Sequence, residues 1–600
     1  MAARGKRKRR RLTVDELLAS DLTQSDDDDD VITGDVTTED VPHVKKRKHD
    51  NSPSTAATHK SDLANLAQSD PEFYQFLLSE DRELLEFNED DVSDDLNQSD
   101  EAEDLNQSDD EATTLVTKKG IVTQQMVKKW EKSITKDGVS SHHISDIIEA
   151  LHSGVCHYLS SAHDPDETNA LSYTLNDGQV FNSLLSTSLR LLPSHLPTSH
   201  TSHRNKAWKK LKPTIKIFIT DLLKLLEQLT DASLLCAVLR AVRSLVACYV
   251  AMGKLLKQLI KVLVKLWTGD DDLVRIGAFL CLRQVIQHSP QSLEPVVKQL
   301  YLSLVSSARF SGPEKMKLLQ TSLVELIRMD VSTGYQMGFV YIRQLAISLR
   351  NAHTSGQSKA WQPVLSWQFL RCLQLWAQLV SEEQSLEPLV YPLVQICLSC
   401  VMLQTKANYF PLRLHIIRLL LPLAKSHDYY VPLATLLLEV MEYKYPTKSL
   451  TTGKPVAMET TIRLSKQLLH NRAVQSRLLD TSYELLLEYL CDLSHTIAFP
   501  ELVVPIVLRL NKVAKTTKVS WLNRQLKQLV TKLDNTSDQL VQDRSKLSFG
   551  PGDLKQVQQW ESGRKKKDNP LKQFLLSWRQ MKELEKSDSK EEISEGDSDT

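Results

Sequence analysis

Along most of the chain, apolar residues recur at i, i+3, i+4 and i+7. Leu222, Leu225, Leu226 and Leu229 follow this spacing, and so do Tyr483, Leu486, Leu487 and Leu490. It is the signature of a helix with one buried face, whereas the period-two alternation of strands is scarce. The pattern predicts an all-α chain. Proline punctuates it. Tyr409-Phe410-Pro411-Leu412 and Tyr430-Val431-Pro432-Leu433 share one word, with variants at Val390-Tyr391-Pro392-Leu393 and Ala498-Phe499-Pro500-Glu501. Proline suits the first helical turn, because its missing N–H would be unpaired there and its φ is already helical. Helix starts at Pro392, Pro411 and Pro432 then stand 19 and 21 residues apart. Two such helices make a unit of about 40 residues, the period of HEAT or armadillo-like repeats. Ser292-Leu293-Glu294-Pro295-Val296 and Ser385-Leu386-Glu387-Pro388-Leu389 are a second echo. A HEAT/armadillo-like helical-repeat solenoid is the expected fold.

Charge divides the chain more sharply than hydropathy does. Residues 1–117 hold 31 Asp and Glu against 13 Lys and Arg, and the remainder holds 44 against 61, so the net charge of −1 is a cancellation. An acidic head and an acidic tail flank a basic body, a balance that suggests a polyanionic partner. Residues 1–116 are too acidic and too poor in aromatics to bury a core and are predicted to be disordered, as is the tail, 583–600. Two basic clusters in the head, Lys6, Arg7, Lys8, Arg9, Arg10 and Arg11, and Lys45, Lys46, Arg47 and Lys48, have the form of nuclear-import signals. Asp26 to Asp30 and the near-duplicate words at 95–103 and 104–112 carry the acid. Ser25 and Ser108 each precede three acidic residues and are candidate phosphosites, where phosphate would deepen the charge. Within the head, 70–87 is an amphipathic island with Phe73, Phe76, Leu77, Leu84 and Leu85; it reads equally as a partner-binding helix and as an isolated one.

Two basic stretches of the body are candidate RNA contacts. Trp208 stands beside Lys209, Lys210 and Lys212, so lysines would meet phosphate while the indole stacks on a base. The other reading of this stretch is a solvated linker whose Trp is anchored in the neighbouring core. From Asn511 to Lys532 a single predicted helix places Lys515, Lys518, Arg524 and Lys527 around Trp521. Catalytic motifs are missing: "TTGKP" at 451–455 lacks the rest of a phosphate loop, and "SFGPGD" at 548–553 reads as a turn. Cys397 and Cys400 form a lone CxxC, better explained by core packing than by zinc. His195, His200 and His203 have no Cys or carboxylate at metal spacing. No enzyme activity, cofactor or metal is therefore expected. Pro388 to Leu403 is the most apolar stretch, interrupted by Pro392, Gln395 and Ser399 and short for a bilayer, so no membrane association is expected. Scattered cysteines and the lack of a signal peptide point to a reducing compartment.

The C-terminal half is similar to a known family. "FVYIRQLAISLRNA" (339–352), "SWQFLRCLQLW" (366–376), "LVYPLVQI" (389–396), "YFPLRLHIIRLL" (409–420), "YVPLATLLLEV" (430–440), "AFPELVVPIVLRL" (498–510), "DLKQVQQWE" (553–561) and "PLKQFLLSWRQ" (570–580) together resemble the nucleolar complex protein 2 family. The resemblance runs in order through roughly 285–582, so 117–284 is taken as N-terminal helical repeats and 285–582 as the family-type repeat domain. It implies a nucleolar and nucleoplasmic assembly factor of the large (60S) ribosomal subunit. The implied partners are nucleolar complex proteins 1 and 3, in alternative complexes, on pre-60S particles with their pre-rRNA. A second reading, also associated with the family, is a chromatin corepressor whose acidic segments bind histones and restrain acetylation.

Overall fold

The computed structural model describes residues 120–136, 141–159, 173–175, 177–196, 206–355, 358–446, 457–517, 519–550, 552–565 and 569–596. Both import clusters, Ser25, Ser108, the 70–87 island, the acidic repeats and Lys518 lie outside them.

The described chain is a succession of helices. Its one small departure is a parallel pair of two-residue strands, Gly120–Ile121 with Tyr173–Thr174. Helices pack mainly on neighbours close in sequence. Gln124–Lys136 and Ser141–Leu159 rest on Gly178–His195, and Asp272–His288 is flanked by Ala232–Ser244 and Gly253–Trp267. The stacking continues through Leu293–Ser307, Pro313–Ile327, Trp367–Glu382, Phe410–Ser426 and Arg472–Leu493 to the pair Phe499–Thr516 and Ser520–Arg544. Near-neighbour stacking of this kind is what makes a helical-repeat solenoid quasi-one-dimensional.

The proline words mark helix starts as the sequence predicts. Pro411 and Pro500 occupy the first turns of Phe410–Ser426 and Phe499–Thr516, and Pro432 is the residue before Leu433–Glu442. Elsewhere side chains close the helix ends. Asp231 accepts from the backbone N–H of Ser233 and Leu234, Asp271 from Leu273 and Val274, and Ser366 from Phe369. Such caps stabilise by about 1 kcal/mol each.

Large side chains fill the seams between helices. Trp376 is fully buried and packs with Tyr341 at 5.8 Å and Tyr301 at 6.0 Å, the two tyrosine rings being 4.2 Å apart. Gly338 lets Leu389 and Trp376 approach its helix, because a Cβ there would meet Leu389 Cδ1 at 2.9 Å and Trp376 Cζ3 at 3.4 Å. Trp267 donates its indole N–H to Ser322 Oγ at 2.9 Å, so its polar edge is satisfied inside the core. Residues 384–403 are long and apolar enough to cross a membrane by composition alone, yet half of that window is buried. They form a 3-10 turn, Gln384–Leu389, and a helix, Val390–Leu403, packed between Val331–Ser355, Trp367–Glu382 and Phe410–Ser426. This is the environment of a core helix. Cys397 and Cys400 lie inside it as free thiols, and burial pushes Cys400 up to about 12.

Two expectations change. The stretch from Asn511 to Lys532 is not one helix: Phe499–Thr516 ends and Ser520–Arg544 begins. The β-branched Thr516, Thr517 and Val519 with Ser520 weaken helix there, and folding back lets Leu510 and Val513 bury against the same core as Leu522 and Leu526. The acidic tail, expected to be disordered from 583, is helical as far as Gly596, as part of Pro570–Gly596. Its Glu, Lys and Leu residues are good helix formers, and the helix starts where Leu571, Leu575 and Trp578 are anchored in the core.

Candidate polyanion and partner interface

The first basic stretch begins on the helix Lys206–Gln228. Trp208 is only 6% exposed and belongs to the core, where no base reaches its face. Lys212 is exposed, as is Lys216 one turn on. The side chains of Lys209 and Lys210 lie outside the described residues. Any contact with phosphate from this helix therefore falls to lysines without an aromatic platform.

The second stretch is split by the helical break. Lys515 is exposed in the last turn of Phe499–Thr516, and Arg524 and Lys527 are exposed in the first two turns of Ser520–Arg544. The turn between these two contacting helices thus follows Lys515 directly and precedes Arg524 and Lys527 by less than two helical turns, instead of leaving the three along one helix. Trp521 is half-buried against the core.

Several other basic groups of the C-terminal half hold helices together. Arg509 makes a two-pronged contact with Glu442 at 2.9 and 2.8 Å, which keeps that carboxyl below the usual range. Arg544 donates to both oxygens of Glu501 at 2.7 and 2.9 Å and to the carbonyl of Ile497 at 3.1 Å. Arg564 reaches Asp543 at 2.5 Å while lying over the Trp560 ring, and Glu561 accepts the Ile497 N–H at 2.7 Å. Arg579 meets Glu488 at 2.9 Å beside the contact of Trp578 with Tyr483. The words "DLKQVQQWE" and "PLKQFLLSWRQ" therefore act as clasps that return the C-terminal helices to the preceding repeats.

The helix containing "YFPLRLHII" is buried nearly all round; only Arg418, Pro422 and Lys425 are exposed. Its polar residues work inward. Arg413, 4% exposed, reaches Glu439 at 2.6 Å and lies over the Phe410 ring. His415 Nε2 meets the carbonyls of Met458 and Thr461 at 3.1 Å each, and burial lowers its pKa. This helix offers little to a partner. The helix Phe499–Thr516 offers more, with Val504 and Leu508 57% and 66% exposed one turn apart.

One cluster has the residue types of a nucleophilic site. His152 Nδ1 lies 2.9 and 3.0 Å from the Asp221 carboxylate oxygens, and Cys156 Sγ is 3.7 Å from His152 Nε2. Asp221 is fully buried where Ser141–Leu159 meets Lys206–Gln228. A buried carboxylate requires a partner, and His152 is that partner. Among the described residues no three His, Cys, Asp or Glu side chains converge as a metal site requires.

The Noc2p family profile matches residues 291–578, the stretch that contains the clasps up to Trp578, one residue short of Arg579. Over 583 residues the chain is 32% identical to Nucleolar complex protein 2 of Drosophila melanogaster, covering 88% of this chain and 76% of that one. The chain belongs to the Noc2p family. Two further relatives are Nucleolar complex-associated protein 2 of Arabidopsis thaliana, 31% identical over 87% of this chain and 72% of its own, and the Nucleolar complex protein 2 homolog of Caenorhabditis elegans, 26% identical over 87% and 79%. The similarity of this Noc2p-family chain to these relatives therefore reaches beyond 291–578 into the N-terminal repeats. A solved circular tandem repeat protein overlaps 82% of this chain and 98% of its own at 14% identity, with a TM-score of 0.22 that carries no structural argument.

Sequence reasoning missed one set of residues. The helix Gly253–Trp267 exposes Lys254, Lys257, Lys261 and Lys265. The signal was legible, since four lysines at steps of three, four and four without one acid define a single charged face.

Proposed function

We propose that this chain is a non-enzymatic scaffold for assembly of the large (60S) ribosomal subunit in the nucleolus and nucleoplasm. It pairs with other nucleolar complex proteins on precursor particles and contributes a basic surface for pre-rRNA. The observation that carries the reading is the similarity over most of the chain to proteins named as nucleolar complex proteins. The helical stack is consistent with a scaffold, because repeats of this kind present long surfaces and need no catalytic pocket. Exposed Val504 and Leu508 supply an apolar patch for a protein partner, and Lys515, Arg524 and Lys527 a basic one nearby in sequence.

The test is affinity purification of the tagged protein from nuclear extract, with and without ribonuclease, followed by mass spectrometry and sequencing of bound RNA. Precursor ribosomal RNA, with a nucleolar complex protein retained after ribonuclease, is the expected result. Histones without precursor RNA would overturn the reading in favour of a chromatin role.

A further inference from the structure

We infer that Lys254, Lys257, Lys261 and Lys265 form a stripe on the helix Gly253–Trp267 that binds the phosphate backbone of RNA. The inference rests on the RNA contact included in the scaffold reading and assigns that contact to a surface outside both basic stretches considered above.

Steps of three and four residues keep the four ammonium groups on one face. All are exposed, while Leu256, Leu259, Ile260, Leu263 and Trp267 fill the opposite side. From Lys254 to Lys265 the helix rises about 17 Å, a length over which a duplex carries about ten phosphate charges. The helix contains no acidic residue, and among the described residues none of the four lysines has a carboxylate partner. Three lysines elsewhere in the body behave differently. Lys315 pairs with Asp270 at 2.8 Å, Lys425 with Asp492 and Lys565 with Asp428, both at 2.7 Å. The exposed face of Pro313–Ile327 mixes signs, with Glu314, Lys317 and Glu325. A merely solvated face would be expected to mix them in the same way.

The arrangement also works against the helix that carries it. Lys257, Lys261 and Lys265 repel at i, i+4, and Lys254 sits in the first turn, at the positive end of the helix dipole. A polyanion relieves both penalties. Composition further separates RNA from an acidic protein partner. Apart from the lysines, the exposed residues of this helix are Gly253 and Gln258. There is no exposed apolar or aromatic anchor of the kind that carries protein–protein affinity, whereas phosphate binding needs only charge.

The experiment uses the purified full-length protein and a labelled uridine homopolymer, with affinity measured between about 50 and about 200 mM salt. Replacing all four lysines with Gln is expected to reduce the slope of log affinity against log salt by about three, since each single-strand phosphate contact contributes about 0.7. Replacing all four with Arg keeps the slope. A Gln variant with unchanged circular dichroism and an unchanged slope would overturn the proposal. So would a Gln variant that loses polyglutamate binding while its RNA slope is retained, which would assign the stripe to an acidic protein. Should the fourfold variant lose helicity, K257Q/K261Q is the readout, with a slope reduced by about 1.4; an unchanged slope there overturns the proposal equally. Purified components make this result independent of the co-purification test, so the stripe can fail while particle association stands, and the reverse.

Discussion

Two sets of basic residues in the helical body look alike in sequence and behave differently in space. After residue 400, Arg413, Arg509, Arg544, Arg564 and Arg579 each reach across to a carboxylate on another element. In the helix Gly253–Trp267, four lysines face solvent together. The difference lies in what the neighbouring helix presents. Where an acid comes within reach, a cation becomes part of the stacking; where none does, the charge remains available to a ligand. Charge density alone is a poor guide to binding, and pairing across helices is a better one.

The largest expected effect comes from removing an acid that holds a buried cation. Glu439→Met leaves the guanidinium of Arg413 buried without its carboxylate, and we expect a loss of about 3 kcal/mol in denaturant-induced unfolding. A loss under about 1 kcal/mol would mean that the carbonyl of Leu436 and the Phe410 ring suffice, and that the clasp is weaker than its geometry.

A second test uses pH. Burial lowers the pKa of His415, with Arg418 and Arg371 acting in the same direction. The folded state therefore binds the proton less readily than the unfolded chain does. Its stabilising contribution is complete above the ordinary value of 6.5 and is lost as pH falls through the lower folded pKa. His415→Gln should show a flatter stability profile than the wild type on acidification below 6.5. Parallel profiles would remove His415 from the inward-facing polar set.

A smaller effect belongs to the surface clasps. A double-mutant cycle on Arg509 and Glu442 should give a coupling of about 0.5–1 kcal/mol, reduced by added salt, because both groups are partly exposed. Zero coupling would reduce this pair to a crystal-like coincidence of charges without energetic weight.

The smallest change in stability, and the one that sharpens the comparison most, is in the stripe. Replacing Lys254, Lys257, Lys261 and Lys265 with Gln should leave unfolding within about 1 kcal/mol of the wild type, on the stabilising side, because two like-charge i, i+4 pairs disappear. A clear destabilisation would show that these lysines have structural partners after all.

Much of the architecture was legible in the chain. Leu-rich repeats of helical period announced the fold, and Pro411, Pro432 and Pro500 located helix starts because proline has few other places in a helical stack. The site was less legible. Trp208 reads either as a stacking platform or as an anchor in the neighbouring core, and the structure makes it a core residue; a Trp among lysines signals amphipathicity, which a helix at the edge of a core also has. The sequence from Asn511 to Lys532 kept a helical rhythm through its turn, so the break that separates Lys515 from Arg524 and Lys527 was invisible.

Local physics, written in periodicity, proline and charge, settled by itself that the chain is helical, where several helices begin, and that an acidic head precedes a basic body. Tertiary structure alone decided which charged side chains are spent on neighbours and which stay free. Pairing such as Arg509 with Glu442 depends on residues that stacking brings together from distant positions, and no local pattern encodes that distance.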